Sequence, residues 1–482
     1  MKDGATGIDG RLIAGFLMLL AASLMGCGKG PSPWSPPEIR LDIRETSLGQ
    51  ARGGIMLQSL VASPQSQHVA YMAKVDAKAL VVVDNVNTAA YDDLAAGMLV
   101  FSPDSRRLAW GAMRDKNWYV VVNGIEGRPY EGLAKGTLGF SADSNHLFYA
   151  ATRAGKWMVN ADNAEGPLCD EVAALCLSPD STHVGYAVRS GPEWFAVLDG
   201  VAGKRYDGIS VDGIHFSPDS KRAVYAARRS GKWMVVTDGV EGPQHEGIGL
   251  ASISFSPDSK RLAYSAARGD GQCVVLDGKE GPAYDGVAAP VVFSPDSKRA
   301  AYVAKRGEKW VVAVDGREGP ECDGIIQGTL AFSPDSKRVA YGLVRGQTGP
   351  VMAMMIDGAE GKHYEVVGTY TFAFSPDSKH TAYGAKDKGK AFVVMDGVKG
   401  PHYDEIVGRS LMFTQDSKHV AYVAKRGPKL VIVVDRAESP EYDGFLGAPL
   451  LVGDAPATLH AIALRGSEFL RVEVKLVGSA AK

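Results

Sequence analysis

Three sets of side chains in this sequence have the types and spacing that chemistry needs: histidines, recurring carboxylate pairs and cysteines. There are ten histidines in 482 residues. His68, His146, His183, His380, His419 and His460 fall at one position of an internal repeat, and Arg107, Arg222, Arg261, Arg299 and Arg338 hold it in other copies. A guanidinium stays protonated and cannot replace a metal ligand, so this position reads as a solvated turn. Glu126, Asp162 with Glu165, Asp238 with Glu241, Asp277 with Glu280 and Asp315 with Glu318 have the form of general acid/base pairs. They recur on the same hairpin of nearly every unit, whereas a catalytic pair is singular. His245-Glu246 lacks the second histidine of a zinc motif, and there is no nucleophile elbow, phosphate-binding glycine loop or calcium loop. No catalytic residue, metal or cofactor is expected. Among Cys169, Cys176, Cys273 and Cys322 there is no Cys-x-x-Cys pair. Cys169 and Cys322 stand where most copies carry Tyr and read as buried aromatic substitutes, and Cys169 with Cys176 is the only close couple.

The elements that would position these groups come from the repeat. Phe-Ser-Pro-Asp-Ser begins at Phe101, Phe216, Phe255, Phe293, Phe332 and Phe374, with near copies at Ala62, Phe140, Leu177 and Phe413 and a worn one at Leu451. Successive copies lie 37 to 42 residues apart, the range of a four-stranded propeller blade. Within 250–290 the pattern gives strand a at Ser252–Phe255, strand b at Arg261–Ser265, strand c at Cys273–Leu276 and strand d at Pro282–Tyr284, joined by polar turns. Asp277-Gly278 supplies the positive φ of a tight hairpin, and an Asp in the Ser-Pro-Asp-Ser turn accepts backbone N–H groups. An aromatic in strand b (Tyr71, Trp110, Tyr149 and onward to Tyr422) and a Trp opening strand c (Trp118, Trp157, Trp194, Trp233, Trp310) repeat once per unit. Such uniform spacing reads as packing between sheets rather than as a row of stacking platforms.

The expected fold is all-β: a β-propeller of ten to eleven four-stranded blades, with one large ring favoured over two rings of about five and six. The 42-residue unit after Phe332 marks the place where two rings would switch. The last unit lacks a strand d, and Leu48 to Pro64 aligns with strand d plus the next strand a, so the N-terminus is expected to complete the C-terminal blade. Glu38 to Ile43 would compete with the C-terminal strand or lie over it. Phe-Ser-Pro-Asp-Ser-Lys-Arg-Leu-Ala-Tyr resembles the repeat of TolB-type, WD-like bacterial propellers, over roughly residues 50 to 475. That resemblance implies a fold shared by periplasmic assembly proteins, sensor ectodomains and peptidase-associated propellers, and it implies no single activity.

Residues 1–26 read as a signal peptide: Lys2 and Arg11 precede the apolar run 12–27, which is short for a membrane span. Leu24-Met25-Gly26-Cys27 resembles a bacterial lipobox, which implies cleavage before Cys27 and acylation there. The Gly/Pro/Ser-rich stretch 27–37 reads as a spacer, and 38–482 as the repeats. Gly28 rather than Asp resembles the outer-membrane sorting pattern of enterobacterial lipoproteins; that resemblance implies, in an organism with an outer membrane, an exported lipoprotein on its periplasmic face or on the cell surface.

A net charge of −2 removes the basic footprint of a nucleic-acid binder. The charges are patterned all the same. The b–c turns carry Arg228, Arg229 and Lys232; Lys305, Arg306 and Lys309; Lys386, Lys388 and Lys390; and Lys425, Arg426 and Lys429. The d–a connections at the same end carry Asp92, Asp93, Glu131, Asp170, Asp207, Asp285, Asp323, Asp404 and Asp443. Mutual pairing is one reading; a charged annulus that docks a protein or an anionic envelope polymer is the other. The expected function is a monomeric, lipid-anchored, non-catalytic scaffold with a protein partner in the envelope. Its rivals are an enzyme with a site in the central channel, disfavoured by the uniform strand-a residues, and a sensor or adhesion module. Labelled palmitate should enter the wild-type chain in the expressing bacterium and not the Cys27→Ala chain; undiminished label in the variant would refute the anchor.

Overall fold

The computed structural model describes residues 39–51, 53–346, 348–447, 450–452 and 458–478; the signal-peptide, lipobox and spacer readings lie outside them. Each repeat folds into one antiparallel sheet, and eleven such sheets follow one another in a single ring, an eleven-blade β-propeller. Blade 1 begins at Val61, and blades 2 to 10 follow in chain order. The worn copy at Leu451 is a true blade, the eleventh. The 42-residue unit contains no switch of ring. Its extra residues lengthen the b–c turn of blade 8, between Arg345 and Val351.

Blade 11 takes its fourth strand from the N-terminus. Ile39–Gln50 runs antiparallel to Glu468–Gly478, from Ile39 opposite Gly478 to Gln50 opposite Glu468. The closing strand therefore lies earlier than Leu48–Pro64, and 39–43 is its first half. Its alternation explains the register: Ile39, Leu41 and Ile43 pack against blade 10, while Asp42 faces Lys475 and Arg44 faces Glu473 on the other side. Tyr71 of blade 1 meets Phe469 of blade 11, ring centroids 6.0 Å apart, so the ring closes through an apolar core.

Strand a is longer than its motif predicts. In blade 5 it spans Gly208–Phe216, with its register broken between Ile209 and Ile214. Equivalent breaks occur in blades 2, 4, 7, 8 and 9. First strands of neighbouring blades touch, so these bulges sit on the inner wall of the ring. The bulge residues vary from blade to blade (Asp212, Gln327, Tyr370 and Arg409), which the uniform motif residues conceal.

The motif residues close a turn and join one blade to the next. Ser256 donates from its hydroxyl to Asp258 at 2.6 Å and accepts the Arg261 N–H at 2.9 Å, closing the turn. The Asp258 N–H then donates to Ser297 Oγ of the following blade at 2.9 Å. The same link runs from Gln65–Ser105 to Asp377–Ser417. Arg261 pairs with Asp277 of its own hairpin at 2.9 Å, donates to the Lys298 carbonyl of the next blade at 2.8 Å and stacks over Phe293, the first motif residue there. The His/Arg position is therefore no solvated turn. His68, His146, His183, His380 and His419 pair in the same way with Asp84, Asp162, Asp199, Asp396 and Asp435. His460 does not share the position: it lies inside strand b of blade 11, opposite Glu473. The hairpin carboxylates of the sequence pairs make a second joint. The Tyr284 hydroxyl donates to Glu318 of the next blade at 3.0 Å, Arg306 binds the same carboxylate at 2.7 Å, and the Arg306 guanidinium lies 5.3 Å from the centre of the Tyr284 ring. Glu45 of the closing strand fills this role between Tyr442 and Arg465, each at 2.7 Å.

Two consequences follow. Replacing Glu45 by Ala removes charge-assisted bonds worth roughly 1–2 kcal/mol in this half-exposed setting, so amide exchange across Ile39–Gln50 should quicken by about tenfold; unchanged exchange would place the closure elsewhere. The motif aspartates have lowered pKa values because the Ser hydroxyl and then a backbone N–H bind the charged form; Asp143 falls to about 2. Their stabilisation is present above the unfolded value of 3.8 and is lost as pH falls through the folded values. Thermal midpoints should stay level above about pH 5 and drop between about pH 4 and pH 2, with a shallower drop for Asp258→Asn.

Candidate functional site: the charged rim

The b–c turns and d–a connections meet at one end of every blade, and pairing there is systematic. The first residue of strand c reaches the acid of the d–a connection: Lys309 to Asp323 at 2.6 Å, Lys429 to Asp443 at 2.6 Å, Lys390 to Asp404 at 2.9 Å, and Lys232 to Glu246. The second carboxylate oxygen accepts a backbone N–H from the next blade's turn, Gly346 to Asp323 and Gly466 to Asp443, each at 2.7 Å. The lysine and then this N–H hold Asp323 and Asp443 below the usual carboxylate range, and Lys309 is raised in turn by Asp323. The rim acids thus bridge blades as well as neutralise lysines.

Arg229, Arg306 and Arg426 turn toward Glu241, Glu318 and Glu438 in the inter-blade joint. With Lys232, Lys309 and Lys429 they are engaged within the ring. Arg228, Lys305, Lys386, Lys388 and Lys425 form no ion pair with any described residue. Arg228 lies 5.8 Å from the centre of the Trp233 ring and Lys305 6.0 Å from that of Trp310. Lys386, Lys388 and Lys425 occupy the neighbouring blades 9 and 10.

A cavity of about 590 Å³ opens at this rim across blades 8 to 10. Ile326, Val367 and Ile406 give it an apolar floor, and Gln327, Thr369 and Lys386 are among its polar lining. Lys386 and the lining residue Asp404 are legible from charge patterning; Gln327 and Thr369 belong to the strand-a bulges. Tyr370, between the lining residues Thr369 and Thr371, holds a φ of +53°, a region a bulky side chain rarely occupies. Its ring lies where any Cβ on Gly328 would collide, 2.2 Å from Cδ1, and Arg409 stacks on it at 4.3 Å. Two larger cavities, of about 730 and 650 Å³, lie at the opposite end, at the repeated Arg–Asp joints of blades 6 to 8.

The four described cysteines are free thiols. Cys169 and Cys322 are buried opposite Trp157 and Trp310, where other blades place Tyr. Burial pushes Cys169 and Cys176 up to about 11, which keeps them as unreactive thiols. Among the described residues no group of three or more His, Cys, Asp or Glu could hold a metal ion.

No protein-family model matches the chain, and no curated protein matches it. Similar solved structures include a eukaryotic initiation factor, at 14% identity over 70% of this chain and 97% of that one, with a TM-score of 0.37. TolB from Acinetobacter baumannii matches at 13% identity over 54% of this chain and 77% of that one, TM-score 0.26. The β-propeller domain of Cps50 (Swd1) from Myceliophteria thermophila matches at 13% identity over 55% of this chain and 95% of that one, TM-score 0.26. These are likenesses between propellers and carry nothing about activity.

Proposed function

We propose that the protein is a lipid-anchored, extracytoplasmic β-propeller that works as a non-catalytic binding scaffold for a protein of the cell envelope. The observation that carries this reading is the division of rim charges: the Lys that begins strand c and the Arg of the b–c turn are consumed in joints between blades, while Lys386, Lys388 and Lys425 are left without an ion pair among the described residues and Lys386 lines an open cavity.

An enzyme with its site in the channel is the second reading, favoured by the blade-specific Asp212, Gln327, Tyr370 and Arg409 of the inner wall. Tyr370 and Arg409 bind each other, and Asp212 accepts the Ala251 N–H at 2.7 Å, which assigns them first to fixing the bulges. Crosslinking of the anchored protein in intact cells, read by mass spectrometry, separates the two readings. A scaffold should give one or two abundant envelope partners, with capture cut by about tenfold in a Lys386→Glu, Lys388→Glu, Lys425→Glu chain. Equal capture by that chain, or no reproducible partner, would contradict the scaffold.

A further inference from the structure

The second residue of strand c faces the Tyr, Cys or His of strand d in blade after blade. Trp118 faces Tyr130, Trp157 faces Cys169, Trp194 faces Tyr206, Trp233 faces His245 and Trp310 faces Cys322. Two of these rings pack into the wedge between blades: Trp310 with Ile325, Tyr341 and Leu343 of blade 8, and Trp157 with Val172 and Tyr186 of blade 4. In blade 8 this position is Met352, facing Tyr364, and in blade 9 it is Ala391, facing Tyr403. Both line the 590 Å³ cavity. The position also lacks an indole at Ala79, Gln272 and Leu430; between blades 8 and 10 that lack coincides with the cavity and leaves a socket.

The residue across from that position on strand b identifies what the socket takes. Arg228 stands opposite Trp233 and Lys305 opposite Trp310 in the ladder, and each places its cation over that ring. Lys386 stands opposite Ala391 in the same register, with no ring of its own blade to cover. An aromatic side chain entering from outside would restore both the packing and the cation–π contact that blades 5 and 7 make internally. The cavity's own lining carries Lys386 with Asp404 and Glu405, and the unpaired charges around it are mostly basic. Lys386, Lys388, Lys425 and Arg409 outnumber Glu365 and Glu405, the carboxylates of the adjoining connections that have no ion pair among the described residues, while Asp404 is already held by Lys390. The volume lies in the range of ligand pockets and exceeds what one indole fills, so residues flanking the aromatic would be seated as well.

We propose that this socket, between blades 8 and 10, binds an aromatic side chain presented by an acidic segment of a partner protein. The proposal rests on the scaffold reading and names the chemistry of its partner. Lys386 covers the ring, Ala391, Ala385 and Gly384 give it room, and Lys388 with Lys425 meets the flanking carboxylates.

The test titrates the full chain with a fluorophore-labelled peptide Asp-Asp-Trp-Asp-Asp and follows anisotropy, with Asp-Asp-Ala-Asp-Asp and Lys-Lys-Trp-Lys-Lys as comparison peptides. Saturable binding of the first is expected, with each comparison peptide weaker by about tenfold or more, the value of burying one large side chain. Ala391→Trp refills the socket from within; it should keep or raise the melting temperature and lose binding by about tenfold or more. Lys386→Glu should lose binding to a similar extent, and it decides the matter should Ala391→Trp misfold. Lys260→Glu, on the opposite face, should leave binding unchanged. Equal binding of the tryptophan and alanine peptides, or undiminished binding by Lys386→Glu, would overturn the proposal. Absence of peptide binding alongside rim-dependent crosslinking in cells would overturn the aromatic site and leave the scaffold standing; peptide binding without any captured partner would do the reverse.

Discussion

Neighbouring blades in a ring of eleven turn through a smaller angle than in a ring of seven, so their faces lie nearly parallel. Two such faces packed by Ala, Val and Tyr alone could slide or tilt with little change in buried area, because apolar contact is non-directional. Directional bonds are what set the angle. The Asp N–H to Ser Oγ link, the Arg or His that pairs with its own hairpin and lies over the next blade's Phe, and the Tyr–Glu–Arg joint each fix a distance and an orientation between sheets. Small strand-b residues such as Ala112, Ala227 and Ala304 let the sheets approach closely enough to make them. Each bond is modest, but the same set recurs around the ring, and the ring holds its curvature through their number.

That constraint decides what remains for function. The charges of the inter-blade joints are already spoken for, so what is left unpaired, and where the repeat departs from itself, carries the information. Blade 9 is such a departure. Its second joint is inverted, with Asp387 where others have Arg and Lys399 where others have Glu, the pair meeting at 3.3 Å. Lys399 lies over the Tyr364 and Phe392 rings, and the Tyr364 hydroxyl is left buried without a hydrogen-bond partner among the described residues. The same blade supplies Ala391, Lys386 and the strained Tyr370. The inverted pair keeps blade 9 in the ring, and the lost indole opens the socket beside it.

Much of this was legible in the chain. Phe-Ser-Pro-Asp-Ser recurs closely enough to count blades, and Asp277-Gly278 takes the positive φ of both hairpin residues, at 53° and 77°. The joints were hidden by distance in sequence: Arg261 meets Asp277 sixteen residues on, and Tyr284 meets Glu318 in the next unit, 34 residues on. The exchange of His for Arg against an Asp sixteen residues on, kept in most units, is the signal the sequence offers, and it reads equally well as an exposed turn. The bulges were illegible because positive φ there falls on Gly213, Gly328, Tyr370 and Arg409 alike, with no residue preference to read. Lys386 stood out by charge, whereas the socket is an absence, visible only when the strand-c tryptophans are aligned and Ala391 is seen among them. The closing strand carried a plain alternation, Ile39, Leu41 and Ile43, but its partner lies more than four hundred residues away.

Single-particle images of the full chain, averaged in projection down the ring axis, test the central claim most directly. One axis surrounded by eleven peripheral sheets is the result this account predicts. Two axes, or one ring with a different number of sheets, would contradict it.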